Sequence, residues 1–366
     1  MIFRLPLLFV ALLFCLGIQA QDNARFEELD ANYYYGSILR HNKDIAHLIQ
    51  GHPTGLVLSY NRKTFGARRW ERTYGYPDWG LSFVYQNSGY SVLGENYGLY
   101  AHANFYFLKR HLMLRIGQGI AYASNPFDLN DNFKNNAYGS DLLSSTYVLL
   151  NFKWEDLFSG FGVQAGFHFL HYSNGNFRAP NSSTNALTFN LGINYQLNRS
   201  PKPEYQGREN DTAVKDKIRF NFLVRAGVNE SDYLNLGRQP FLVLSAFADK
   251  RLSYTSSLLF GAEVFFSKFL EKEIEYLVAS QLDRDLTGDE DYRRVGMFVG
   301  HDLHFDRLSV LAQLGYYVYY PYDFEGRTYI RAGLRYFFLP KLFGVVSMKS
   351  HGAKVEGVEF GVGVRL

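Results

Sequence analysis

Cysteine is all but missing from this chain, Cys15 being the only one. Disulfide scaffolds, thiolate zinc sites and cysteine nucleophiles are therefore excluded for everything downstream of it. Long apolar runs are missing as well. Beyond the first 20 residues, no segment approaches the roughly 18 uninterrupted apolar residues of a membrane-spanning helix. Nor does charge of one sign dominate: 38 basic residues face 35 acidic ones, for a formal charge of +3. No basic stripe stands out, so nothing argues for a nucleic-acid partner.

The single apolar run lies at the start. Arg4 precedes Leu5 to Ile18, interrupted only by Pro6 and Gly17, and Ile18-Gln19-Ala20 ends on a small residue. This pattern predicts a secretory signal peptide over residues 1–20, followed by the polar stretch Gln21 to Asp30. Lipid attachment at Cys15 is disfavoured by the bulky Phe14 before it.

Aromatic residues and glycine fill the composition instead. There are 28 Tyr, 32 Phe and 33 Gly against 10 Pro. Period-2 alternation recurs throughout. Leu112, Leu114, Ile116 and Ile120 oppose Met113, Arg115, Gly117 and Gly119, and Ile330, Ala332, Leu334 and Tyr336 oppose Arg331, Gly333 and Arg335. One face is apolar and the other holds Arg, Glu, Asn and Gly, as in a barrel with a wet lumen. The expected fold is all-β, a single transmembrane antiparallel outer-membrane β-barrel over residues 21–366. The pattern counts roughly 14 strands, within about 12 to 16.

The last strand ends Val358, Phe360, Val362, Val364, Leu366, an apolar close of the kind barrel-assembly machinery recognises, although Phe is the commoner last residue. Short links at 109–110, 155–159, 251–254, 305–307 and 339–341 are expected on the periplasmic side. Longer ones at 123–141, 172–184, 228–240 and 268–292 are expected outside, with a short helix over Phe269 to Leu282. The polar segment 198–216, with Pro201 and Pro203, is expected as a periplasmic connection between a first portion (55–197) and further strands (217–366). An exported β-sandwich is the soluble rival, but it explains neither the charged alternate faces nor the terminal strand.

Chemistry concentrates at His171-Tyr172-Ser173-Asn174-Gly175. Odd positions Phe161, Val163, Ala165, Phe167 and Phe169 form the apolar face of the strand that leads in, and His171 and Ser173 continue it. In the next strand the odd face also holds Leu187, Phe189, Leu191 and Ile193, and it begins with Asn185. Adjacent strands lie about 5 Å apart, so the three polar side chains can meet on one outer surface. A serine hydroxyl needs a base, and the base needs a group that holds its tautomer. Ser173, His171 and Asn185 fill those roles, with Asn174 and Gly175 as oxyanion donors. The bland alternative is an aromatic belt at His171-Tyr172 followed by an ordinary turn.

The stretch His171-Tyr-Ser-Asn-Gly, then Pro180-Asn181 and Asn185, then Leu191-Gly192-Ile-Asn-Tyr195, resembles the lipid A deacylase (PagL-type, acyloxyacyl hydrolase-like) family. Asn132 to Ser140 and Tyr76-Pro77-Asp-Trp-Gly80 look like further marks, and the match covers roughly residues 55–197. The resemblance implies an outer-membrane esterase that removes an ester-linked acyl chain from lipid A, with lipopolysaccharide as substrate. By position it makes Ser173 the nucleophile, His171 the base and Asn174 an oxyanion contributor. Asn185 stands where the best-known members place Glu. Either Asn185 serves, or Asp141 or another loop acid does, or activity has been lost.

Other candidates carry less. His301, Asp302 and His304 suggest a metal cluster, but the two histidines fall on opposite faces of a strand. Asp283, Asp285, Asp289, Glu290 and Asp291 read as a solvated acidic loop. No cofactor is called for. Arg331 and Arg335 are expected to line the lumen. They motivate the rival reading of a non-enzymatic barrel, either a channel or a surface scaffold.

Overall fold

The computed structural model describes residues 26–198, 201–352 and 354–366. The expected signal peptide, with Cys15, lies outside the described residues. Among them, no helix is long and apolar enough to cross a membrane.

The described residues make 16 antiparallel strands. The first eight are β1 Glu27–Ile38, β2 Thr54–Arg62, β3 Asp78–Asn87, β4 Glu95–Phe107, β5 Leu112–Ala123, β6 Leu142–Phe158, β7 Phe161–Ser173 and β8 Thr184–Gln196. The second eight are β9 Arg219–Asn229, β10 Gln239–Arg251, β11 Ser256–Ser267, β12 Arg294–Phe305, β13 Leu308–Tyr319, β14 Thr328–Leu339, β15 Leu342–His351 and β16 Lys354–Arg365. Each set closes on itself. Strand β1 pairs with β8 from Glu28↔Gln196 to Ile38↔Ala186, and β9 pairs with β16 from Asn221↔Arg365 to Ala226↔Phe360.

The single barrel expected over 21–366 is thus two barrels of eight strands. Size explains the preference. A ring of 16 strands leaves an aqueous channel, whereas eight give an interior that side chains can fill. The inward residues here are cut to the smaller ring. In the first barrel Arg115 of β5 reaches Asp30 of β1 at 2.6 Å, bonding Asn104 and Ser59 on the way. In the second, Arg331 of β14 reaches Glu263 of β11 at 2.7 Å and Glu359 of β16 at 2.6 Å.

The two faces of every strand divide as alternation predicts. Outward residues are apolar and uncovered, with Leu99 63%, Leu191 62%, Phe220 60% and Val362 60% exposed. Inward ones are buried and include the charged Arg115, Lys153, Arg225, Arg294, Arg331 and Arg335 beside apolar groups such as Leu149 and Phe298. This inverts the plan of a water-soluble protein and matches that of a barrel in lipid.

Long loops gather at one end of both barrels. There Asn176 Nδ2 donates to Glu230 O at 2.9 Å and Glu230 N donates back to Asn176 O at 3.1 Å. A helix over Lys268–Ala279 covers this end of the second barrel, close to the expected Phe269 to Leu282. Its buried Phe269, Leu270, Ile274 and Leu277 pack with Tyr317, Tyr320 and Phe324. At the opposite end most turns are short, but residues 63–77 form a longer connection, from which Tyr74 stacks on Phe305 at 4.3 Å between ring centroids. The segment 201–216 also runs across this end. Gln206 N donates to Phe65 O at 3.0 Å, and Ser253 Oγ donates to Asp211 at 2.6 Å.

Candidate active site at the β7–β8 hairpin

Antiparallel register sets His171 of β7 directly opposite Asn185 of β8. Both side chains sit on the outward face and are half-buried. His171 Nδ1 lies 2.6 Å from Asn185 Oδ1. An amide oxygen only accepts, so this contact puts the proton on Nδ1. The lone pair is left on Nε2, where a general base needs it. Asp141, the other acid considered for this task, turns its carboxylate to the Leu142 N–H at 2.9 Å and makes no contact with His171.

Ser173 ends β7 on the same outward parity, but it is only 1% exposed. The loop of residues 174–183 folds back over it. Ser173 Oγ donates to Asn181 Oδ1 at 3.1 Å and accepts from Gly175 N at 3.1 Å. Asn174 N also donates to Asn181 Oδ1, at 2.9 Å, while Asn174 Nδ2 donates to Arg178 O at 2.5 Å. Among the described residues no hydrogen bond joins Ser173 to His171. The base is therefore held by Asn185, and the hydroxyl is held by Asn181. Of the two expected oxyanion donors, the Gly175 N–H points at Ser173 Oγ, and both donors of Asn174 are engaged within the loop.

Two of these contacts lie beyond the residues proposed from sequence. Asn181 acts as the acceptor shared by Ser173 and Asn174; its signal was the Pro180-Asn181 pair, noticed only as part of the resemblance. Glu230 comes from the second barrel. It accepts from Ala179 N at 3.1 Å through Oε2 and from Gly237 N at 3.1 Å through Oε1, and it is 6% exposed. Nothing in its local sequence announces that role, because the partners are 51 residues apart. The second barrel also presses on the motif at Gly175, whose φ of +66° suits glycine. A Cβ at that position would meet Val358 Cγ2 at 2.6 Å.

The remaining candidates separate. His301 faces outward and pairs with Ser256 Oγ at 2.7 Å. His304 faces inward between Ser257 and Ser309, and Asp302 pairs with Arg335 at 2.6 Å. No cluster able to hold a metal occurs among the described residues. In the acidic loop, Glu290 caps the Thr287 and Gly288 amides, and Asp291 pairs with Arg293 at 2.8 Å. Arg331 and Arg335 do line the lumen, each wholly buried in ion pairs.

Comparison with known proteins adds two family matches. Residues 54–194 match the model for lipid A 3-O-deacylase (PagL), and residues 218–366 match that for the acyloxyacyl hydrolase C-terminal domain. No curated protein matches. Among solved structures, OpdR of Pseudomonas aeruginosa shares 12% identity over 93% of this chain and 94% of its own, at a TM-score of 0.23. A double mutant of the Rh. blastica porin shares 9% identity over 93% and 99%, at a TM-score of 0.15. At these scores the likenesses carry no argument, and the fold rests on the strand pairing above.

Proposed function

We propose that this chain, which matches the lipid A 3-O-deacylase model over residues 54–194 and the acyloxyacyl hydrolase C-terminal domain over residues 218–366, is an ester hydrolase that acts through Ser173, His171 and Asn185. Those matches support a lipid A deacylase, and we place it in the outer membrane. The assignment of roles is our reading of the hairpin. The observation that carries it is the 2.6 Å bond that fixes the His171 tautomer, on the same outward face as Ser173.

The reaction begins when the Ser173 hydroxyl turns from Asn181 toward His171. Nε2 takes its proton as Oγ attacks the ester carbonyl carbon, and a tetrahedral oxyanion forms. The Gly175 amide, which now bonds Oγ, and the Asn174 amides are the nearest donors for that oxygen. Collapse breaks the bond to the sugar oxygen, which receives the proton from His171. Water activated by the same nitrogen then cleaves the acyl-serine, releasing the fatty acid and restoring Ser173. Asn185 orients the ring throughout but cannot neutralise the imidazolium as a carboxylate would, so turnover is slower than with an acid at that position.

Location follows from the same faces. The apolar outward residues support a barrel pair set in lipid, and the hairpin lies at the long-loop end, which we assign to the outer leaflet. Lipopolysaccharide would then reach Ser173 from the side, without leaving the bilayer. The rival channel reading gains nothing from Arg331 and Arg335, whose charges are spent on Glu263, Glu359 and Asp302. Mass spectra of lipid A from cells expressing wild type or Ser173→Ala test the proposal. One acyl chain should be lost only with the wild type, and identical acylation with both would defeat it.

A further inference from the structure

The outward face of the first barrel is largely apolar, and a polar island on it lies beside His171. Gln118 of β5 stands opposite Thr146 of β6, which stands opposite His171 of β7. Ser144, two residues before Thr146, stands opposite Ser173. All point outward. Gln118 is exposed, and Ser144 and Thr146 are half-buried. Thr146 Oγ1 donates to Gln118 Oε1 at 2.5 Å, and Gln118 Nε2 donates to Ser144 Oγ at 3.2 Å.

The island sits in hydrocarbon-like surroundings. On β5 its outward neighbours are Ile116 and Ile120, each 45% exposed, and on β6 they are Leu142 at 50% and Val148. A primary amide presented to lipid is unfavourable unless its hydrogen bonds are met. The three side chains meet only part of that need from one another. The second N–H of Gln118 and the hydroxyl proton of Ser144 have no hydrogen-bond partner among the described residues. Both lie next to the pair that would carry the chemistry.

We propose that Gln118, Thr146 and Ser144 form a subsite that hydrogen-bonds a hydroxyl or amide group of the glycolipid adjacent to the ester cleaved at Ser173. The inference rests on the catalytic reading above and adds substrate discrimination to it. An acyl chain bearing only hydrocarbon would leave the island unpaired. A glycolipid with a hydroxyl or amide close to the scissile bond would satisfy it and be drawn into register with Ser173.

The test uses the full chain in detergent with two substrates, purified lipid A and a p-nitrophenyl ester of an unsubstituted fatty acid. The readout is the ratio of kcat/KM for lipid A to that for the simple ester. Gln118→Leu and Thr146→Val, each checked for heat-modifiable migration as folded barrels, should lower the ratio about five- to tenfold, the size of one neutral hydrogen bond. Ile116→Ala, on the same strand face but outside the island, should leave it unchanged. An unchanged ratio in either folded island variant, with Ser173→Ala inactive on both substrates, overturns the subsite and leaves the catalytic reading standing. Full activity of Ser173→Ala overturns both.

Discussion

The two barrels solve the same closure problem with different interiors, and the site we propose lies on the outer face of the first. The lumen of the first combines two buried ionic groups, Arg115 with Asp30 and Lys63 and Lys153 with Glu28 and Glu155, with a neutral network. Asn151 and Asn190 exchange amide bonds at 2.8 Å, Gln164 bonds Asn32 at 2.8 Å, and Ser82 bonds His102 and Tyr147. The lumen of the second is an ionic ladder. Arg225, Glu263, Arg331 and Glu359 alternate in charge, as do Arg294, Glu356 and Lys349. Beside Lys349 it leaves a cavity of about 10 Å³, room for a single water. Outside, the first barrel bears His171, Ser173 and Asn185, while the second offers His301 with Ser256 and no third group. Closure and a polar core therefore do not make a site. The site comes from three outward residues on one hairpin, and the second barrel contributes by holding the loop above them.

The sharpest way to break this division of labour is Ser173→Ala. It should remove deacylation by about three orders of magnitude or more while leaving the fold intact. Lipid A mass spectra together with electrophoretic heat-modifiability read both effects. The converse experiment is Glu263→Ala in the second barrel, which removes one of the two carboxylates shared by Arg225 and Arg331, Glu359 being the other. Breaking such a buried pair costs about 3–5 kcal/mol, so the urea midpoint should fall. Activity per folded molecule should change far less than with Ser173→Ala.

Two smaller effects sharpen the boundary between the halves. Asn185→Ala removes the group that holds His171 and should lower kcat about ten- to hundredfold, whereas Asn185→Glu should match or exceed the wild type. Steady-state kinetics on a soluble ester would show it, and a Glu variant slower than Ala would refute the orienting role. Glu230→Ala unties Ala179 and Gly237 from across the barrel boundary and should lower kcat several-fold, with Glu230→Gln recovering part of the loss. If kcat of Glu230→Ala equals the wild type, the second barrel does not position the loop.

Much of the hairpin was legible before any coordinates. Parity along β7 placed His171 and Ser173 on the outward face, and the opposition of His171 to Asn185 followed once the turn joined their strands. The covering of Ser173 was not legible, because it depends on how residues 174–183 fold over their own strand end. Asn181 entered as part of a resemblance and proved to be the partner of the hydroxyl. Gln118 was passed over, since a single polar residue among Leu114, Ile116 and Ile120 looks like noise until its cross-strand neighbours are known.

Side-chain alternation is a local, two-residue property, and it was enough to read the all-β class, the two faces of the strands and the outward parity of the hairpin that we propose as the site, though it counted roughly 14 strands where 16 are found among the described residues. Ring closure is not local. Whether β8 pairs with β1 or with β9 changes no residue's parity, and it is decided by which ring lets Arg115 reach Asp30 and Arg331 reach Glu263. The same holds for Glu230 and Asn176, which meet only because the two finished barrels stand side by side at their long-loop ends.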